Sequence, residues 1–280
     1  MHLLVITDLE GVCGVDSFSQ TRTGREQRKG PAMDQLAREV NACIEGIHSA
    51  KPKATVDVWD GHGSGGLRES DVGDARYLEG GRPYFEMDGY DAMLFVGQHA
   101  MAGSPHAPLC HTYSSLSIDY YKLNGTFVGE FACRALLAGL QGVPTIFLSG
   151  DDKATLEARQ FVPEIETAVT KRGTGRESAD HRDREEVCAA IRDGVAVAIE
   201  RLDEIPPYSG LEPPYTLEVR YYEPYNVSKI DRIAGWIRKY LPIAGDLVPV
   251  SKGVTRIDAR TIRITADDLL DTDSGLYHRL

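Results

Sequence analysis

Asp8, Glu10, His62, His99 and Glu130 are three carboxylates and two imidazoles, and each stands where an apolar, strand-forming run gives way to a glycine-rich turn or a helix start. Carboxylates mixed with a few imidazoles suit zinc, or a similar divalent ion such as manganese or cobalt, whereas an all-oxygen set would suit magnesium or calcium. One catalytic zinc takes three protein ligands and keeps a position open, so five donors exceed its needs. With Asp8 bridging, they suffice for two ions about 3.5–4 Å apart, an arrangement that generates hydroxide at neutral pH and polarises a carbonyl or phosphoryl oxygen. Asp and His at strand ends also serve as turn formers and helix caps. Five of them together at such ends favour a site over that plainer reading.

The elements that must position these residues are legible as alternating strands and helices. Leu3 to Thr7 reads as a buried strand followed at once by Asp8-Leu9-Glu10-Gly11. Side chains alternate faces along a strand, so Asp8 and Glu10 should point the same way. Thr55 to Trp59 runs into Asp60-Gly61-His62, and Ala92 to Gly97 runs into Gln98-His99, so three strand ends are predicted to converge in one crevice of an open α/β sheet. Pro31 to Ala50 has a helical apolar period, and Gly129 to Leu140 reads as a helix packed on the sheet. Val143 to Leu148 reads as a fourth strand ending at Gly150-Asp151-Asp152, and Glu186 to Leu202 as an amphipathic helix. After the proline-rich stretch at 206–214 the pattern changes to a strand at Tyr215 to Tyr222, a helix-like Val227 to Tyr240 and a β-branched Thr255 to Thr265. The predicted organisation is an α/β domain over 1–205 and a smaller α+β domain over 206–280.

Composition narrows the partners. A formal charge of -11 argues against nucleic acid, because phosphate binding needs a basic face. The densest basic stretch, Thr170 to Arg184, mixes its cations with Glu177, Asp180 and Asp183 and reads as a solvated loop. The five cysteines are odd in number and form no CxxC pair, so neither a disulfide framework nor a zinc knot is expected. No signal segment and no apolar run near the ~20 residues needed to cross a bilayer is evident, which points to the cytoplasm and away from a membrane.

The motifs Asp8-Leu9-Glu10-Gly11 with Gly14, Asp60-Gly61-His62, Gly97-Gln98-His99-Ala100, Cys110-His111-Thr112, Asn124 with Val128-Gly129-Glu130, and Val143-Pro144 with Gly150-Asp151-Asp152 run in order over roughly residues 1 to 155. In this order and spacing the chain resembles the zinc-dependent D-aminopeptidase family. The resemblance implies a dinuclear zinc aminopeptidase in which Asp8 bridges, Glu10 and His62 complete one site, and His99 and Glu130 the other. It further implies that His111 is the catalytic histidine, acting as nucleophile or general acid/base. The implied substrates are short peptides with an N-terminal D-residue such as D-alanine. The implied assembly is a decamer of two stacked five-membered rings, each subunit pairing a flavodoxin-like, three-layer open sheet, mostly parallel with helices on both faces, with a smaller α+β domain.

An imidazole titrating near neutral pH suits proton delivery to a leaving amine, which is what His111 would do. His106 competes for that role but lies outside the motif, in a loop between His99 and His111 that carries one extra residue. Asn124 is a candidate substrate or oxyanion contact. Asp60, Asp151 and Asp152 are candidates either for orienting the ligand histidines or for capping turns and helices. The rival chemistries are a dinuclear phosphoesterase and a peptide-binding protein without catalysis that serves uptake. A phosphate pocket normally adds Arg or Lys, and the segments 8–14, 60–66 and 98–112 contain none, which favours a peptide amide.

Overall fold

In the computed structural model, residues 1–224, 254–277 and 279–280 are described, and the helix expected at Val227 to Tyr240 lies outside them. The elements in chain order are β1 (His2–Thr7), α1 (Phe18–Thr21), α2 (Glu26–Ala50), β2 (Thr55–Asp60), β3 (Arg76–Leu78), β4 (Ala92–Gln98), β5 (Ile118–Leu123), β6 (Thr126–Phe127), α3 (Glu130–Leu140) and β7 (Thr145–Asp151). They continue with α4 (Asp152–Phe161), β8 (Glu166–Gly175), β9 (Ser178–His181), α5 (Arg184–Glu200), β10 (Tyr215–Tyr221), β11 (Val254–Arg256) and β12 (Thr261–Ala266). The chain divides into two compact units, one of residues 1–111 with 129–210 and one of residues 112–128 with 211–280.

The first unit holds a seven-stranded sheet of order β3-β2-β1-β4-β7-β8-β9, parallel except for β9. Leu3, Leu4, Val5 and Ile6 are fully buried, as a central parallel strand covered on both faces requires. Helices α2 and α5 pack on one another and on the sheet, and so do α3 and α4, which gives the layered α/β architecture expected. Because β2 and β4 flank β1 on opposite sides, the chain reverses direction across the sheet at β1, where such folds open a crevice at the carboxyl ends of the strands.

Two local differences from the sequence reading have physical causes. Helix α2 begins at Glu26 and carries Pro31 inside it, one turn earlier than the expected start at Pro31. The proline removes a single N–H near the helix start, and the turn before it is tied down by the Lys29 ammonium, which donates to Ser64 O and Oγ at 3.0 and 2.8 Å. The stretch Thr170 to Arg184, read as a solvated loop, instead contains the end of β8, all of β9 and the start of α5. Its charges mask a strand in which Ala168, Thr170, Lys171 and Gly173 are buried, and the Lys171 ammonium is satisfied inside by backbone carbonyls.

The second unit is an antiparallel sheet of order β11-β12-β10-β5-β6. Hairpin β5–β6 belongs to it because β5 hydrogen-bonds along β10, a pairing between segments about a hundred residues apart. The single β-branched run expected over Thr255 to Thr265 is two strands turned around Asp258, whose Oδ1 accepts from Arg260 N and Thr261 N at 2.7 and 2.9 Å.

Candidate metal centre

Backbone contact between the ends of β1 and β4 sets the site. Asp8 N donates to Val96 O at 2.9 Å and Gly11 N to Gly97 O at 2.7 Å. A Cβ on Gly97, whose φ is +78°, would stand 2.2 Å from Asp8 O, and one on Gly11 would stand 2.1 Å from Gln98 O, so only glycine permits this approach. It lays the carboxylates after β1 against the histidine after β4.

Two groups of donors result, Asp8 with Glu10 and His62, and His99 with His111 and Glu130, the ligand atoms of each lying within 4.8 Å of one another. His62 Nδ1 is 3.2 Å from Asp8 Oδ1 and 2.9 Å from Glu10 Oε2. His99 Nε2 is 3.2 Å from Asp8 Oδ2 and 3.5 Å from Glu130 Oε1. Asp8 thus presents one oxygen to each group. His111 Nε2 lies 3.9 Å from Glu130 Oε1, and its ring stacks on that of His99 with centroids 3.9 Å apart.

The second nitrogen of each imidazole faces a carbonyl oxygen. His62 Nε2 meets Thr21 O at 3.2 Å, His99 Nδ1 meets Ala100 O at 2.9 Å, and His111 Nδ1 meets Leu109 O at 2.8 Å. A carbonyl accepts only, so a proton on each of these nitrogens is favoured and the opposite nitrogen is left facing carboxylate oxygens. Imidazole nitrogens and carboxylate oxygens facing each other at 2.9–3.5 Å inside the protein need a positive charge between them, either a second proton on the ring or a metal ion. His99 Nε2 and Glu10 Oε2 are buried without a hydrogen-bond partner, as atoms reserved for an ion would be. This donor set therefore fits zinc or a similar ion.

Electrostatics say the same in terms of protons. Burial opposes a charge on His62, but Asp8 and Glu10 outweigh it and push the imidazole up to about 10. His99 is raised well above the ordinary range by Asp8 and Glu130 against its own burial. Burial likewise opposes ionisation of Glu130, yet Arg134 and His99 hold its carboxyl down to about 2. Asp8 is also held well below the usual carboxylate range by His99 and His62, against the effect of burial. His111 differs, because burial and the neighbouring His99 keep it below the usual imidazole range and hence neutral at pH 7.

Supporting residues come from every side of the crevice. Glu130 opens α3, where the helix dipole favours an anion, and Arg134 one turn on donates to its Oε2 at 2.9 Å. Asp60 shapes the turn rather than the imidazole, accepting from His62 N, Gly66 N and Leu67 N at 3.1, 2.6 and 3.0 Å. Asp151 caps α4 through Lys153 N and Ala154 N, and its other oxygen accepts from Ala100 N at 3.1 Å, so it both caps and braces the His99 loop. Asp152 accepts from Gly173 N at 2.8 Å and does not touch the cluster. Lys171 reaches from β8 to donate to the carbonyls of Glu10, Val12 (3.0 Å) and Val15, fixing the loop after β1. Thr170 Oγ1 adds a 2.6 Å bond to Gly11 O. No motif marks Lys171 or the Thr21 carbonyl, since their roles exist only after folding.

The other expected residues are placed as follows. His106 is exposed and its Nδ1 meets Thr174 O at 3.3 Å. Asn124, in the β5–β6 turn, donates to Glu212 O and accepts from Thr216 N, both at 2.7 Å. Its φ is +50°, and His106, Leu109 and Tyr113 in the loop around His111 also have positive φ, at 54°, 55° and 58°. A left-handed φ at Leu109, the residue whose carbonyl meets His111 Nδ1, stores strain in that loop.

Among the described residues, no helix is long and apolar enough to cross a membrane. The D-aminopeptidase of Bacillus subtilis (strain 168) is 26% identical over 221 residues, 76% of this chain and 78% of that protein. The solved structure of the Zn-dependent D-aminopeptidase DppA from Bacillus subtilis, described as a self-compartmentalizing protease, matches with a TM-score of 0.81 at 21% identity, covering 100% of this chain and 96% of that one. The family model for D-aminopeptidases matches residues 1–274. The chain therefore belongs to the D-aminopeptidase family and is a peptidase.

Proposed function

We propose that this chain is a dinuclear zinc aminopeptidase that removes an N-terminal D-residue such as D-alanine from short peptides. The observation that carries the reading is the set of three imidazoles, each with one nitrogen fixed on a carbonyl and the other turned toward buried carboxylates. Asp8 would bridge, Glu10 and His62 would hold one ion, and His99 and Glu130 the other; manganese or cobalt suits the same donors. When bound, the ions supply Lewis-acid polarisation of the scissile carbonyl and lower the pKa of a water.

The chain's own residues do the rest. His111, neutral and with Nε2 facing the cluster, takes the proton from the attacking water and returns it to the departing amine nitrogen. Leu109 O fixes the tautomer that makes this possible. Asn124 drops out of the proposed substrate contacts, because both ends of its amide bind backbone of its own unit. The α/β unit is the catalytic domain in this reading and the smaller sheet an accessory one. A ring-forming homodecamer in the cytoplasm completes it, supported by the self-compartmentalizing description of the Bacillus subtilis protein.

Metal analysis of dialysed protein tests the ion count: two zinc per chain are expected, and one per chain contradicts the dinuclear reading. His111→Ala should keep both ions while kcat falls about 10²–10⁴-fold. Loss of an ion in that variant would make His111 a ligand instead.

A further inference from the structure

Beside His111 stands a cationic wall that no single segment of the sequence contains. The half-buried ring of Phe18, on α1, meets the imidazole of His111 edge to face with centroids 6.4 Å apart. Two guanidiniums lie over that same ring, Arg22 at 3.3 Å and Arg176, from the turn between β8 and β9, at 5.8 Å from its centroid. Both arginines are exposed. Local bonds hold the wall in register with the site. Phe18 N and Ser17 Oγ donate to Glu177 Oε1 at 2.9 and 3.1 Å, joining α1 to the β8–β9 turn. Leu109 N donates to Arg176 O at 2.7 Å, and the same residue's carbonyl fixes His111, so one residue sets both positions.

We propose that Arg22 and Arg176 recognise the free C-terminal carboxylate of the peptide, making the enzyme selective for peptides that end two or three residues beyond the scissile bond. The inference rests on the peptide-hydrolysing reading of the site and names its substrate class more closely. Stacking uses the flat face of a guanidinium and a carboxylate binds N–H donors at its edge, so the two kinds of contact do not compete. An extended chain advances about 3.3–3.6 Å per residue, so two or three residues reach from His111 across the Phe18 ring to the guanidiniums. In a chain of net charge -11, two guanidiniums gathered on the ring beside His111 form a local positive patch to which a peptide carboxylate is drawn.

The test is kcat/KM of the zinc-loaded enzyme for D-Ala-Ala-Ala as the free acid and as the C-terminal amide, in the wild type, Arg22→Gln, Arg176→Gln and the double variant. The wild type should prefer the acid by about tenfold or more, with the preference shrinking at high salt. Each single variant should reduce that ratio and the double variant bring it near one. Equal cleavage of acid and amide by the wild type, or a preference that survives in the double variant, overturns this inference and leaves the peptidase reading standing. Cleavage of neither peptide overturns both.

Discussion

At the scale of single residues, the site consists of imidazoles that backbone carbonyls hold facing buried carboxylates. That Asp8, Glu10, His62, His99 and Glu130 lie close together was legible from sequence because all five stand at strand ends or a helix start, and the structure gathers them with His111 into two groups joined through Asp8. The partners that fix the tautomers were not legible, because a backbone carbonyl such as Thr21 O has no signature in the chain. Glu39 makes a residue-scale prediction outside the ligand set. It is buried, accepting from Cys13 N and Gln35 Nε2 at 2.9 and 3.2 Å, and burial pushes its carboxyl up to about 7. The folded state therefore keeps a proton that the unfolded chain has released, and Glu39 lowers stability progressively as pH rises from about 4.5 to about 7. In Glu39→Gln that fall disappears, so thermal unfolding should show the variant gaining on the wild type between pH 5 and pH 8. A difference in midpoint that is flat across this range would contradict the assignment.

At the scale of elements, the parallel core was readable and its rim was not. Strands β1, β2, β4 and β7 announce themselves as apolar runs because both faces are covered, whereas β8 carries Lys171, Arg172 and two glycines and resembles a loop. Hairpin β5–β6 escaped for another reason, since its partner β10 lies far along the chain and pairing at that distance leaves no local pattern. The junction of β1 and β4 is where backbone closeness matters most. Gly97→Ala places a Cβ against Asp8 O at a strained φ, so it should cost at least about 2 kcal/mol in denaturant unfolding and weaken zinc binding as well. Gly63→Ala, with nothing within 4 Å of the added Cβ, should leave both unchanged and serves as the control. Lys171→Met strands three inward-facing carbonyls of the loop after β1 and should destabilise by more than about 3 kcal/mol, read the same way. A Lys171→Met protein as stable as the wild type would show that the loop holds itself.

At the scale of the whole molecule, metal and fold should be linked, because three buried carboxylates need compensating charge. Chelation should lower the thermal midpoint and zinc restore it, with about 2.7 kcal/mol gained at a free-metal concentration a hundredfold above Kd. In the proposed ring assembly, light scattering should give ten chains per particle, and a monomer would remove that part of the account. In the proposed dinuclear enzyme, stereochemistry falls to the walls around the ions, since polarisation acts alike on a D- or L-peptide carbonyl. The most direct measurement is therefore alanine release from D-Ala-D-Ala and L-Ala-L-Ala by purified protein, before chelation, after it, and after zinc is restored. A D-specific zinc aminopeptidase should release alanine from the D-peptide, stop on chelation and resume with zinc. Release that persists without metal, or no release from either peptide with metal bound, would contradict that reading.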